Sequence, residues 1–184
     1  MDGLEAGQMG IKTTFAGMVC AASLIASGAF AQSESTNRVA QKTKWSVFVE
    51  DNPTECWSVS APEESVNSRD GRVVAATRSQ ILLMVFYRPS EGAKGQVAFT
   101  GGYPFAGGST VNLNISGNEF NMFIDGEWAW PASASDDAKM VTAMKRGATA
   151  IVTGISGRGT KTKDTFSLSG FTAAVEDAAK RCGS

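Results

Sequence analysis

Apolar and polar residues change places at every second position over much of this chain. Trp45, Val47 and Val49 alternate with Ser46, Phe48 and Glu50 until Asp51-Asn52-Pro53 stops the pattern, and a period of two is the spacing of a strand with one covered face. A second strand spans Glu55 to Ser60 and carries Cys56 and Trp57. Past a polar turn at Asp70-Gly71 come Arg72 to Thr77 and then the apolar run Ile81 to Tyr87, bounded by Arg78-Ser79 and Arg88-Pro89. That run is too short for a helix and predicts a central strand buried on both faces.

Gln96 to Thr100 predicts another strand, followed by the glycine-rich loop 101–108. Val111, Leu113 and Ile115 face Phe120, Met122 and Ile124 across Ser116-Gly117-Asn118, the clearest hairpin of the sequence. Asp125-Gly126 turns the chain into Glu127-Trp128-Ala129-Trp130. A helix is predicted over Asp136 to Arg146. Ser133 or Ser135 caps it, acids lie at its start, Lys145 and Arg146 at its end, and Gly147 marks its exit. Ala148 to Ile155 and Thr160 to Leu168 flank Ser156-Gly157-Arg158-Gly159 as a second hairpin. Phe171, Ala174, Val175, Ala178 and Cys182 recur at helical spacing, so a final helix delivers a sulfur along its apolar stripe. Many short strands with only two short helices predict a mainly β chain, an antiparallel β-sandwich whose last helix is C-terminal.

The N-terminus breaks this rhythm. Lys12 precedes an apolar run through Phe15, Met18, Val19, Leu24 and Ile25 that ends at Ala29-Phe30-Ala31, the n-region, h-region and A-x-A site of a secretory signal. Residues 1–31 are read as a signal peptide cut after Ala31, residues 32–42 as a flexible leader and residues 43–184 as one domain. Asp2 and Glu5 are unusual in an n-region and point to a start at Met9. The run is too rich in Ala, Ser and Thr to favour a membrane anchor, and Gly17-Met18-Val19-Cys20 does not suit lipid attachment at Cys20.

Composition narrows the chemistry. The 184 residues carry 17 Lys+Arg against 18 Asp+Glu and no histidine. Near-zero charge lacks the basic footprint of a nucleic-acid binder. Without histidine there is no Ser-His-Asp or Cys-His catalysis, and the commonest metal ligand is missing. The two cysteines beyond the signal, Cys56 and Cys182, lie 126 positions apart in an exported chain, where an oxidised pair is the default. In the chain-entropy view such a long loop is worth about 4–5 kcal/mol. Two thiols do not make a closed zinc site.

Other motifs reduce to simpler readings. Gly154 to Thr162 resembles a phosphate-binding loop, but Thr160 follows Gly159 where lysine is required, and a strand follows where a helix should start. Asn114-Ile115-Ser116 fits a glycosylation sequon inside a predicted strand. Asp125, Glu127, Asp136 and Asp137 match no calcium loop, and two of them suit a helix start. Tyr103, Phe105, Trp128 and Trp130 stand at loops or hairpin ends, where they form a candidate partner surface or plug the open end of the sandwich.

Several segments occur in one order: Trp45-Ser46-Val47-Phe48, Cys56-Trp57, Gly102-Tyr103-Pro104-Phe105, Asp125-Gly126-Glu127-Trp128-Ala129-Trp130, Ala143-Met144-Lys145-Arg146-Gly147, Arg158-Gly159-Thr160 and Asp164-Thr165-Phe166-Ser167-Leu168-Ser169-Gly170-Phe171. Together they resemble the invasion-associated locus B family of exported alphaproteobacterial proteins, in the form seen in marine and photosynthetic members. The resemblance implies an immunoglobulin-like β-sandwich in the periplasm or at the outer surface and supplies no catalytic residues. Many members have a further cysteine soon after the first tryptophan. Here that stretch is Val47-Phe48-Val49-Glu50, so a second bridge is absent.

The resulting expectation is an exported, non-enzymatic binding or envelope-accessory protein clamped by Cys56 and Cys182. Its partner would be an unknown protein or envelope component, with no nucleic acid, cofactor, metal or membrane span. The alternative is a carboxylate-dependent hydrolase of cell-wall glycan, with acids drawn from Asp125, Glu127 and Asp164.

Overall fold

The computed structural model describes residues 36–52 and 54–183; the expected signal segment lies outside them. In chain order the elements are β1 (Arg38–Lys42), β2 (Trp45–Asp51), β3 (Thr54–Ser60), β4 (Glu64–Arg69), β5 (Arg72–Val73), β6 (Leu82–Arg88), β7 (Ala93–Thr100), β8 (Val111–Ile115), β9 (Asn118–Asp125), β10 (Trp128–Trp130), α1 (Ala134–Arg146), β11 (Thr149–Ile155), β12 (Lys161–Ser167) and α2 (Phe171–Arg181).

The strands join in the order β1-β2-β3-β6-β7-β10-β9-β8-β11-β12-β4-β5, and every pair is antiparallel. Strand β9 is the hinge of this ribbon, bonded to β10 on one side and β8 on the other. The halves before and after it share one apolar core, as in a β-sandwich. Phe99 of β7 meets Phe166 of β12 edge-on at 6.2 Å. Trp45 of β2 donates its indole N–H to the Ser167 carbonyl at 2.9 Å. The fold is therefore mainly β, antiparallel and sandwich-like, with two α-helices among the described residues, the last C-terminal, as the periodicities predict.

Alternation decides which side chains meet in the core. Trp45, Val47, Cys56, Val85, Val97 and Phe99 point inward from the first half, and Val111, Leu113, Val152 and Phe166 from the second. The helices fill the inner space through Met140 and Met144 of α1 and Phe171, Ala174, Val175 and Ala178 of α2. Trp45, Phe99, Phe166 and Phe171 are fully buried. Each contributes about 1.5–3 kcal/mol by leaving water, more than a surface ion pair, worth about 0–1 kcal/mol. Strand β6 is closed on both faces, as expected of its unbroken apolar run.

Helix α2 carries the covalent link. Its inward stripe ends at Cys182, which is bonded to Cys56 of β3 with the two Cα atoms 5.9 Å apart. Ser133 caps α1, its hydroxyl accepting the Asp136 N–H at 3.2 Å. Gly147 closes that helix for a different reason from the one expected. Its backbone is extended rather than left-handed, and a Cβ there would stand 2.6 Å from Ile115 Cγ2, so packing against β8 requires glycine.

Two polar stretches are more ordered than their composition predicts. Arg38–Lys42, assigned to the flexible leader, is strand β1 paired with β2. Backbone pairing holds it, Ala40 packs against the core, and Lys42 is tied to Asp177 of α2 at 3.1 Å. Strand β4 has the sequence ESVNSR, without a covered face to mark it, yet pairs with β12 from Glu64 to Ser68. Of Arg72 to Thr77 only Arg72–Val73 is strand, and the remainder crosses the surface as an irregular strap.

Replacing both Cys56 and Cys182 with serine is expected to lower unfolding stability by about 2–5 kcal/mol, read from urea midpoints of oxidised wild type and variant. Equal midpoints would show the bridge to be idle. Asp177 gives a pH test. Arg181, bonded to it at 2.7 Å, and Lys42 hold its carboxyl below the ordinary 3.8, against a smaller opposing effect of burial. The stability this lends is full above pH 3.8 and is lost as pH falls through the depressed value. Asp177→Asn should remove that part of the acid limb in urea melts taken from about pH 7 down to about pH 2; an unaltered limb would contradict it.

Candidate functional site

Because Cys56 points into the core, Trp57 must point out. Register then gathers other rings beside it. Phe48 lies opposite Trp57 on β2 and Phe86 opposite it on β6. Phe48 and Trp57 stack with centroids 5.4 Å apart, Trp57 reaches Phe86 at 6.3 Å, and Phe86 reaches Trp130 at 6.5 Å. Trp128 and Trp130 stack at 5.7 Å on either side of inward-facing Ala129. Phe123 of β9 is the cross-strand neighbour of Trp130 and is 50% exposed.

This row crosses the outer face of the first half of the ribbon. Met84, Phe86 and Ala98 are buried beneath Trp57, Val59, Leu82, Trp128 and Trp130, and no helix residue belongs to this second apolar cluster. Ala98, the cross-strand neighbour of Met84, is fully buried in the same cluster. One end has a polar border: Arg88 lies over the Phe86 ring at 4.3 Å, with its Nε 2.8 Å from Glu55 and its Nη1 2.9 Å from Gln96.

Of the four aromatics singled out from sequence, the structure brings only two to this face. Trp128 and Trp130 form part of it. Phe105 is 7% exposed and packs inward on Phe99 at 6.2 Å. Tyr103 is half-buried, edge-on to Phe105 at 5.0 Å, with its hydroxyl hydrogen-bonded to Thr162 Oγ1. The packing beside the glycine-rich loop explains the split, because Gly154 gives both rings room where a Cβ would come within 2.9 Å of Phe105. Phe48, Trp57 and Phe86 escaped sequence reasoning. Their signal was the outward half of each alternation, which becomes a cluster only once register is known.

The candidate carboxylates stand in different surroundings. Asp164 is fully buried in β12 and is held by both terminal guanidinium nitrogens of Arg78, Nη1 to Oδ1 and Nη2 to Oδ2, each at 2.7 Å. Arg78 also donates from Nε to the Gly101 carbonyl at 2.8 Å, and its guanidinium lies 5.0 Å from the centre of the Tyr103 ring. Asp125 and Glu127 are exposed on either side of the Gly126 turn. Asp136 accepts from Ser133 and Lys139, and Asp137 accepts the Val97 N–H. Burial pushes the Asp137 carboxyl above its ordinary value and the Tyr103 phenol likewise. Among the described residues, no helix is long and apolar enough to cross a membrane.

The geometry defines a disulfide-stapled antiparallel sandwich with an aromatic outer face and a fully buried acid, Asp164, neutralised in place. Residues 50–179 match the family described as "Invasion associated locus B (IalB) protein", and the chain belongs to that family. Its fold is similar to that of the invasion associated protein B of Bartonella henselae, with a TM-score of 0.53, 15% identity, and 79% of this chain and 98% of that one covered. No curated protein matches the chain.

Arg78→Ala should leave the Asp164 carboxylate buried and unpaired, which costs about 3–5 kcal/mol. A thermal or urea melt checks this. A loss below about 1 kcal/mol, the value of an exposed pair, would mean that water reaches Asp164.

Proposed function

We propose that this chain is an exported, non-enzymatic binding protein of the cell envelope, working from the periplasm or the outer surface. The observation that carries the reading is the ring row in which half-buried Phe48, Trp57 and Trp130 and exposed Phe123 surround the buried Phe86. Aromatic residues, Met and Arg are enriched at protein interfaces, and Trp and Arg carry much of the binding energy there. This face joins its rings to Met84 and to the Arg88–Glu55 border. Its occupant in this reading is a protein of the envelope that offers an apolar strip to the rings. The Ile11 to Ala31 pattern and an oxidised Cys56–Cys182 pair support export. Entry into host cells is not carried over to this chain, because kinship of fold does not transmit function.

Support for a non-enzymatic role comes from the state of the acids. A glycan hydrolase needs two carboxyls flanking one bond. Asp164 is sealed under Arg78, and Asp125 and Glu127 stand at an exposed turn.

The test is capture from envelope extract with the tagged chain and with Trp57→Ala/Trp130→Ala. Proteins held by wild type should be lost by the double variant and recovered by Trp57→Phe/Trp130→Phe, with circular dichroism confirming the fold of each. The same captured set from all three, or turnover of a cell-wall glycan by the wild-type chain, would overturn the reading.

A further inference from the structure

The strap from Val74 to Ser79 roofs a second feature, a cleft of about 690 Å³, within the range of small-molecule sites. The strap is fastened at both ends. The Val74 N–H donates to the Asn67 carbonyl at 2.9 Å, and the Ser79 N–H donates to the Gly102 carbonyl at 3.0 Å. Gly102 makes that approach feasible: its φ is +71°, and a Cβ would fall 2.7 Å from the Ser79 carbonyl oxygen. Arg78 then locks the strap down through Asp164 and Gly101.

The charge inside this cleft is unusual for a chain with balanced acids and bases. Arg69, Arg78 and Arg158 all line it, against Glu127 as the one lining carboxylate among the described residues. Arg78 is neutralised by Asp164 below. Arg69 donates to the Thr160 hydroxyl at 2.7 Å, and among the described residues neither Arg69 nor Arg158 has a carboxylate within ion-pair distance. Tyr103, Ser156, Thr160 and Thr162 also line it, with their hydroxyls hydrogen-bonded inside the protein. Two guanidiniums without an acid partner suit a group that accepts paired hydrogen bonds and carries negative charge.

We propose that this cleft binds a small polar molecule bearing an oxyanion, a carboxylate or a phosphate, with Arg69 and Arg158 gripping the anion. The site is separate from the ring face: it shares no lining residue with the row. It needs no moving part beyond the strap already in place. The Arg78–Asp164 pair supports the floor and is not itself a ligand contact, because its donors are engaged within the protein.

Isothermal titration calorimetry on the disulfide-bonded chain tests this with three probes: inorganic phosphate, glucuronate and glucose. Saturable binding of phosphate or of glucuronate, with none of glucose, is expected, and the two anions distinguish a phosphate ligand from an acidic sugar. Arg69→Ala/Arg158→Ala should weaken binding about tenfold or more, the equivalent of one charge-assisted contact. Lys180→Ala, a change at a cation on α2 away from the cleft, should bind as wild type does. Arg69→Lys/Arg158→Lys keeps the charge without the fork and should fall between, and it reads the same contrast if the alanine variant does not fold. Absence of saturable binding by both anions, glucose binding as strong as glucuronate, or unchanged affinity in the arginine variants would overturn the assignment.

Discussion

The bond between Cys56 and Cys182 sets the sidedness of the molecule. A strand cannot turn one residue inward without turning the next outward, so anchoring Cys56 on the helix-covered side commits Trp57 to the other. The antiparallel registers of β2 and β6 pass that choice sideways to Phe48 and Phe86. On the inner side the same bond holds α2 over the sheet, where Phe171 meets Trp45 edge-on at 4.8 Å. One covalent contact therefore fixes the covered face and, by exclusion, the aromatic one.

A second constraint acts across the ribbon. Asp164 is a charge placed in the middle of β12 with no access to water, and a lone buried charge is costly. Arg78 offsets that cost only by reaching in from an irregular segment, so the strap is held where no strand pairing would hold it. The cleft exists because of this arrangement: its roof is the segment that carries Arg78, and its walls are the loops on which Arg78 closes.

The two surfaces thus differ in kind. The ring row is broad, apolar and bordered by the Arg88–Glu55 pair, the chemistry of contact with another macromolecule. The cleft is concave, polar and cationic, the chemistry of a small anion. The family relationship fixes the fold and does not by itself transmit a function.

Strand alternation, the Ser116-Gly117 and Gly157-Arg158 turns, both helices and the cysteine pair are legible in the residues alone, because local periodicity and capping depend on neighbours along the chain. Strands β1 and β4 are not, since backbone pairing with β2 and β12 orders them although few of their side chains are apolar. The candidate surface is half legible: Trp128 and Trp130 stand out, Tyr103 and Phe105 turn inward, and Phe48, Trp57 and Phe86 carry no mark of their own. Sequence determined that every second side chain would face the same way. Only the tertiary structure decided which of the two faces would be covered, because that depends on where helices and distant strands come to rest.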